Sequence, residues 1–258
     1  MENNVPGSDH DTSVIVQVRE LHHAYAGGRT VLNGVTFEIR KGESVGIIGP
    51  NGAGKSTLFH CLCGVVKPRQ GCIRVAGLDP AERSSRLHLP SQIGLVFQNS
   101  DDQLFCSTVA EDVAFGPLNL RLPAEEVKKR VAEALTTVGL PPGDDRFPGH
   151  LSGGEKRRAA LAGVLAMNPP IILFDEPSMF LDPRGRRDVI AQLKQLKQTM
   201  VIASHDLPLI RATCARTLVL NEGRISADGL TEEILSNQAL LEANDLCGDL
   251  PTVLPTRA

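Results

Sequence analysis

The sequence predicts an α/β fold with a mixed β-sheet core, an antiparallel β-subdomain and an inserted helical subdomain. Three observations predict it. The front of the chain alternates apolar and polar residues at Val14, Val16 and Val18, and again at Val35, Phe37 and Ile39, the period of a half-buried strand. Short apolar runs at 45–48, 171–174 and 200–203 suit central parallel strands buried on both faces. Between them, residues 99–150 lose the strand pattern and carry a helical one.

The elements follow in order. Residues 1–12 are polar and are expected to form a poorly ordered tail. One domain is expected over 13–235, with its helical subdomain at about 99–165 and a C-terminal extension at 236–258. Ala26-Gly27-Gly28-Arg29 and Arg40-Lys41-Gly42 are turn material around the front strands. The strand 45–48 feeds a glycine-rich loop and a helix over 57–62, and further short strands are expected at 73–75 and 93–97. A helix starts at Pro123, has Glu125 and Glu126 in its first turn and ends at Gly139. Val127, Val131, Ala134, Leu135 and Val138 form its apolar face. Residues 141–145 are a loop. Helices are expected at 155–167 and 186–197 around the strand 171–174, followed by the strand 200–203. Residues 217–220 and 225–227 flank a hairpin signal, Asn221-Glu222-Gly223-Arg224, and Thr231 is expected to cap a last helix.

Bulk properties narrow the function classes. The 258 residues carry a net charge of −3, so no basic field draws the chain to nucleic acid. No apolar run approaches the roughly 18 residues that span a bilayer, and residues 1–6 lack the pattern of a secretory signal. Cys61, Cys63, Cys72, Cys106, Cys214 and Cys247 form no C-x-x-C pair. They are expected to be buried, reduced side chains of a cytosolic protein.

Chemistry concentrates in three motifs. Gly49-Pro50-Asn51-Gly52-Ala53-Gly54-Lys55-Ser56-Thr57 fits the phosphate-binding loop at every defined position. Backbone N–H groups of such a loop cradle a polyphosphate, Lys55 reaches the β- and γ-phosphates, and Ser56 binds Mg²⁺. The apolar run 171–174 ends in Asp175 and Glu176, at the strand end where open α/β sheets bind ligands. Asp175 supports Mg²⁺, and Glu176 is the candidate general base for an attacking water. The third motif is Leu151-Ser152-Gly153-Gly154-Glu155, a capped helix start whose two glycines let a phosphate approach the backbone.

That third motif matches the LSGGE signature, and from about Val14 to Leu235 the chain resembles the ABC (ATP-binding cassette) ATPases. The resemblance implies an ABC-type P-loop NTPase that hydrolyses ATP with Mg²⁺. It also implies further site residues. Gln98, after the strand 93–97, is similar to the family's Q-loop glutamine, which touches Mg²⁺ or the attacking water. His205 resembles the switch histidine at the γ-phosphate, Asp182 the D-loop aspartate, and Tyr25 the aromatic that stacks on adenine. Family members sandwich nucleotide between two chains, so Ser152, Gly153, Gly154 and Asp182 are implied to act in trans. A homodimer is favoured and a heterodimer of close relatives is the alternative, because this chain carries every catalytic element. One departure stands out: where the family has Thr-Ser-Gly-Leu-Asp, this chain has Ser178-Met179-Phe180-Leu181-Asp182.

A narrower resemblance points to purpose. Residues 96–105 and 111–120 are similar to the ATPases of energy-coupling-factor importers of metal ions and vitamins, and 180–187 to the cobalt and nickel branch. This implies an ATPase at the cytoplasmic face of the cell membrane, with an integral membrane energy-coupling subunit and a membrane subunit that binds the solute. Phe97, Leu104, Phe105, Val113 and Phe115 are candidates for the apolar landing site, or for the core of the helical subdomain. Asp101 and Asp102 could pair with basic partner residues. The alternatives are a vitamin importer, an importer fed by a solute-binding protein, and an ABC regulator without a membrane partner.

Overall fold

The computed structural model describes residues 13–246. Strands β1 (Val14–Ala24) and β2 (Thr30–Arg40) pair antiparallel. Their inward residues, Val16, Val18, Leu21, Leu32, Val35, Phe37 and Ile39, are buried as the alternation requires. Strand β3 (Ser44–Ile48) runs into helix α1 (Lys55–Leu62) through the glycine-rich loop. Strand β4 (Gln70–Val75) returns to β1, giving a three-stranded sheet of order β2-β1-β4.

Strand β5 (Ile93–Val96) enters the second sheet. Three helices follow: α2 (Val109–Asn119), α3 (Ala124–Thr137) and α4 (Gly153–Met167). The predicted apolar face of α3 is buried. Helix α2 is resolved despite Gly116-Pro117 in its last turns. Pro117 cannot donate to the preceding turn. Gly116 lets α4 come close, because a Cβ there would lie 2.5 Å from Met167 Cγ.

Strand β6 (Ile171–Asp175), helix α5 (Pro183–Gln195), strand β7 (Thr199–Ala203) and helix α6 (Leu207–Thr213) come next. Strands β8 (Arg216–Asn221) and β9 (Arg224–Leu230) form the hairpin, then α7 (Thr231–Ser236) and α8 (Gln238–Ala243). The second sheet has the order β5-β6-β7-β3-β8-β9. Only the β8–β9 pair is antiparallel, so the core sheet is mixed as predicted.

The two sheets are joined at the hairpin. Asn33 N donates to Gly223 O at 2.8 Å, and a Cβ on Gly223 (φ 72°) would lie 2.4 Å from Val31 O. Gly54 (φ 110°) crowds the same carbonyl, its hypothetical Cβ lying 2.8 Å away. Arg216 adds a clasp, holding Asp228 and Glu43 by its side chain and the Glu38 carbonyl of β2.

Several expectations need correction. The strand expected over 93–97 stops at Val96, leaving Phe97 exposed. Helix α5 begins at Pro183 rather than 186, because Asp182 caps it and proline is preformed for the first turn. Thr231 does not cap α7: Leu230 is the cap residue, and the Thr231 hydroxyl instead meets Thr217 Oγ1 at 2.8 Å in the interior. Cys72 is exposed, while Cys61 and Cys214 are buried. Cys247 and the tail 1–12 lie outside the described residues, as do 247–258 of the C-terminal extension.

Candidate active site

The phosphate loop is rooted in the core. A Cβ at Gly49 would sit 2.0 Å from the Leu220 carbonyl, so only glycine fits between β3 and β8. Gly52 and Gly54 take positive φ, 81° and 110°, which turns their amides into the loop. Lys55 opens α1 with its side chain buried. Its Nζ donates to the Gly49 and Pro50 carbonyls at 2.7 and 3.2 Å and lies 3.9 Å from Glu176 Oε1. Burial pushes its pKa down, and Glu176 and Asp175 oppose that.

The acidic pair comes from β6. Asp175 is the strand's last residue, buried, with its pKa raised by burial and held back by a hydrogen bond from Ser56. Its Oδ1 has no partner. Glu176 leaves the strand with φ 48°, a left-handed conformation that costs a non-glycine residue roughly 1–2 kcal/mol. Its Oε2 accepts from Ser204 Oγ at 3.0 Å and from His205 N at 3.3 Å, and lies 2.8 Å from His205 Nδ1. Parallel pairing explains the meeting: Asp175 stands beside Ala203 in the sheet, so the residues after β6 and β7 emerge together.

Gln98 emerges from β5, next to β6, and its amide nitrogen donates to Met179 Sδ. Tyr25 follows β1. Its hydroxyl is 3.1 Å from Thr57 Oγ1, and its ring meets that of His23 edge-on at 4.9 Å. Together these groups line one open cavity of about 650 Å³: Tyr25, Asn51, Gly52, Gly54, Lys55, Ser56, Thr57, Gln98, Asp175, Glu176 and His205. Gly49 and Pro50 stand behind it and hold Lys55, and Ala53 is buried.

Ser152, Gly153, Gly154 and Asp182 do not line this cavity. Ser152 caps α4 in a capping box with Glu155, whose carboxyl is held down to about 2 by the Ser152 hydroxyl and then by Arg146. Among the described residues beyond its own helix turn and chain neighbours, nothing lies within 4 Å of a built Cβ at Gly153, and at Gly154 the Arg158 guanidinium lies at 3.9 Å. Asp182 accepts from Gly185 N at 2.7 Å as the cap of α5.

Sequence reasoning missed Arg29 and Ser204. Arg29 lines the cavity beside Gly52, yet nothing in the turn 26–29 says that it folds over the phosphate loop. Ser204 adjoins His205 and holds Glu176, a role only the strand pairing reveals. The donor set fits Mg²⁺: the Ser56 hydroxyl, the Gln98 amide and the unpartnered Asp175 Oδ1 are hard oxygen groups on one cavity wall.

A phosphate loop, two carboxylates and a histidine around one cavity define a nucleoside triphosphatase. The ABC transporter family profile matches residues 32–179. The chain is 43% identical over 235 residues to an energy-coupling factor transporter ATP-binding protein, EcfA, of Methanocaldococcus jannaschii, covering 89% of this chain and 84% of that one. Its fold matches CbiO1 of Clostridium perfringens, described as part of the ABC transporter complex cbiONQ, with a TM-score of 0.79, 37% identity and 91% and 96% coverage. It also matches a dimeric ATP-binding cassette bound to ADP and phosphate after hydrolysis, with a TM-score of 0.75, 29% identity and 84% and 98% coverage. The chain belongs to the ABC transporter family. It is an ABC ATPase, close to the energy-coupling-factor ATPases and CbiO, that binds ATP and hydrolyses it for transport.

Proposed function

We propose that this chain is the ATPase subunit of an energy-coupling-factor importer whose cargo is cobalt or nickel ions. The observation that carries the importer assignment is a groove of about 560 Å³ on the helical subdomain, lined by Phe97, Leu104, Phe105 and Phe115 beside Gln98. Phe97, Phe105 and Phe115 remain 38, 65 and 48% exposed, and the last two meet edge-on. Val113 is not part of it but lies in the core. Asp101 is engaged by Lys156 at 2.7 Å, which leaves Asp102 as the acidic group on the groove, while Asp112 is buried and holds the Phe105 and Cys106 amides. A short amphipathic helix with one basic residue, offered by an integral membrane subunit, fits that chemistry. Cobalt or nickel as cargo rests on the similarity of 180–187 to that branch. The subunit then sits at the cytoplasmic face of the membrane, with a second, solute-binding membrane subunit in the complex.

In the site, Tyr25 stacks on adenine and the loop 49–54 wraps the phosphates. Lys55 exchanges the Gly49 and Pro50 carbonyls for the β- and γ-phosphate oxygens. Ser56, Asp175 and Gln98 are the residues that would hold Mg²⁺, which when bound neutralises phosphate charge. Glu176, with Oε2 fixed by Ser204 and His205, takes the proton of the attacking water, and His205 faces the γ-phosphate. Ser152, Gly153, Gly154 and Asp182 of a second copy close the cavity. The open surroundings of Gly153 and Gly154 support this arrangement.

Purification of the tagged chain from detergent-solubilised membranes tests the assignment. Co-purifying energy-coupling and solute-binding membrane subunits, with ATP-dependent cobalt or nickel uptake, are expected. Uptake of a vitamin would replace the cargo. A solute-binding-protein-dependent permease, or no membrane partner, would overturn the importer class.

A further inference from the structure

A hydrogen-bonded chain links Glu176 to the loop carrying Asp182, and no role described so far uses it. Its centre is Asp206, which is buried. Asp206 Oδ2 accepts from Ser178 Oγ at 2.7 Å and forms an ion pair with Arg186, whose Nε lies 2.8 Å away. Its Oδ1 accepts from Leu209 N as the cap of α6. Its backbone N donates to Ser204 Oγ at 3.1 Å, and Ser204 Oγ donates to Glu176 Oε2 at 3.0 Å. His205 lies between these two anchored residues. Ser178, Ser204 and Glu176 are buried, whereas Arg186 is 45% exposed.

We infer that Asp206 and Arg186 are positioning residues, through which the loop 178–182 sets the placement of Glu176 and His205. Three features carry this beyond packing. The carboxylate is ionic, and two side chains from beyond Glu176 converge on one of its oxygens while the other oxygen is spent on a helix cap. A buried charge held this way is costly to leave half-paired, so the geometry is strongly enforced. The linked loop is itself strained: Phe180 has φ 60° and is 89% exposed, so burial of its side chain does not compensate its left-handed backbone. Finally, Arg186 borders a surface cavity of about 270 Å³ with Phe180, Leu181 and His205, so the loop, the cation paired with Asp206 and the histidine share one open surface. A shift of 178–182 therefore passes through Ser178 and Arg186 to Asp206, then through the 204–206 backbone to the Glu176 carboxylate. The inference rests on Glu176 as the base.

The test uses the chain in its membrane complex, with steady-state ATP hydrolysis. Arg186→Ala and Ser178→Ala keep the α6 cap, so they probe the link without removing Asp206. Each is expected to lower kcat about tenfold with little change in KM, since misplacement of a base by a fraction of an ångström has that scale of effect. Arg186→Lys restores part of kcat. In an Asp206→Asn background, Arg186→Ala adds nothing further. Unchanged kcat in both alanine variants, or equal additive losses in the double variant, overturns the inference. Glu176→Gln, measured alongside, separates the two failures: brisk hydrolysis there removes the base itself, whatever Arg186 does.

Discussion

Glu176 Oε2 already accepts two donors and lies 2.8 Å from His205 Nδ1, while Oε1 faces Lys55 across 3.9 Å. A carboxylate so held presents one free oxygen to a water in the cavity. Glu176→Gln keeps the shape and removes the base, so hydrolysis should fall about 10²- to 10⁴-fold, while ATP binding persists. Single-turnover hydrolysis and nucleotide retention check this, and brisk turnover would remove Glu176 from the role. Lys55→Ala deletes the buried cation and leaves Asp175 and Glu176 facing the phosphates. ATP affinity measured by calorimetry should fall at least about tenfold, given the roughly twofold greater strength of charge-assisted hydrogen bonds; unchanged affinity would contradict the loop assignment. These residues were legible in the sequence because each motif is local, with its residue types fixed by chemistry at fixed spacing. Ser178, Ser204, Arg186 and Asp206 were not. Glu176 and Ser204 are 28 positions apart, and their contact exists only because β6 and β7 lie parallel in register.

Among the elements, α4 shows how local chemistry sets a surface. Ser152 and Glu155 form a reciprocal capping box, and Arg146 joins Glu155 to Asp144. Glu155 titrates near 2 instead of 4.5, chiefly through the Ser152 hydroxyl and secondly through Arg146. Asp144 is lowered too, mainly by Arg146. Because both carboxyls are depressed in the folded chain, their stabilisation is present above the ordinary carboxylate range. The Glu155 share is lost as pH falls from about 4.5 towards 2, and the Asp144 share as pH falls through its own lowered value. Melting temperature should therefore drop across that window, and Glu155→Gln should flatten the slope; an identical slope would mean that the clasp contributes nothing. Helix α3 was readable from its apolar face, whereas α2 was hidden by Gly116-Pro117, which local rules treat as a break. The close approach to Met167 explains the glycine. Thr231 misled for the opposite reason: its hydroxyl is consumed by a tertiary partner, Thr217.

For the whole molecule, two glycines separate what one chain needs from what a second chain needs. Gly49→Ala drives a methyl against the Leu220 carbonyl, and should destabilise the fold by about 1–3 kcal/mol. Gly153→Ala adds a methyl that meets nothing within 4 Å among the described residues beyond its own helix turn. Its melting temperature should stay put while hydrolysis by the assembled complex falls; undiminished turnover would mean that nothing approaches that helix start. The carbonyl of Val31 has a different consequence. The phosphate loop at Gly54 and the β8–β9 turn at Gly223 both approach it too closely to admit a Cβ, six residues after Tyr25. The phosphate loop and the β8–β9 turn are thus spaced from one shared backbone point of β2 in the ligand-free chain. On the proposed reading, nucleotide then meets a loop already spaced, so little ordering entropy is spent at that step and more of the binding free energy is left for drawing two subunits together.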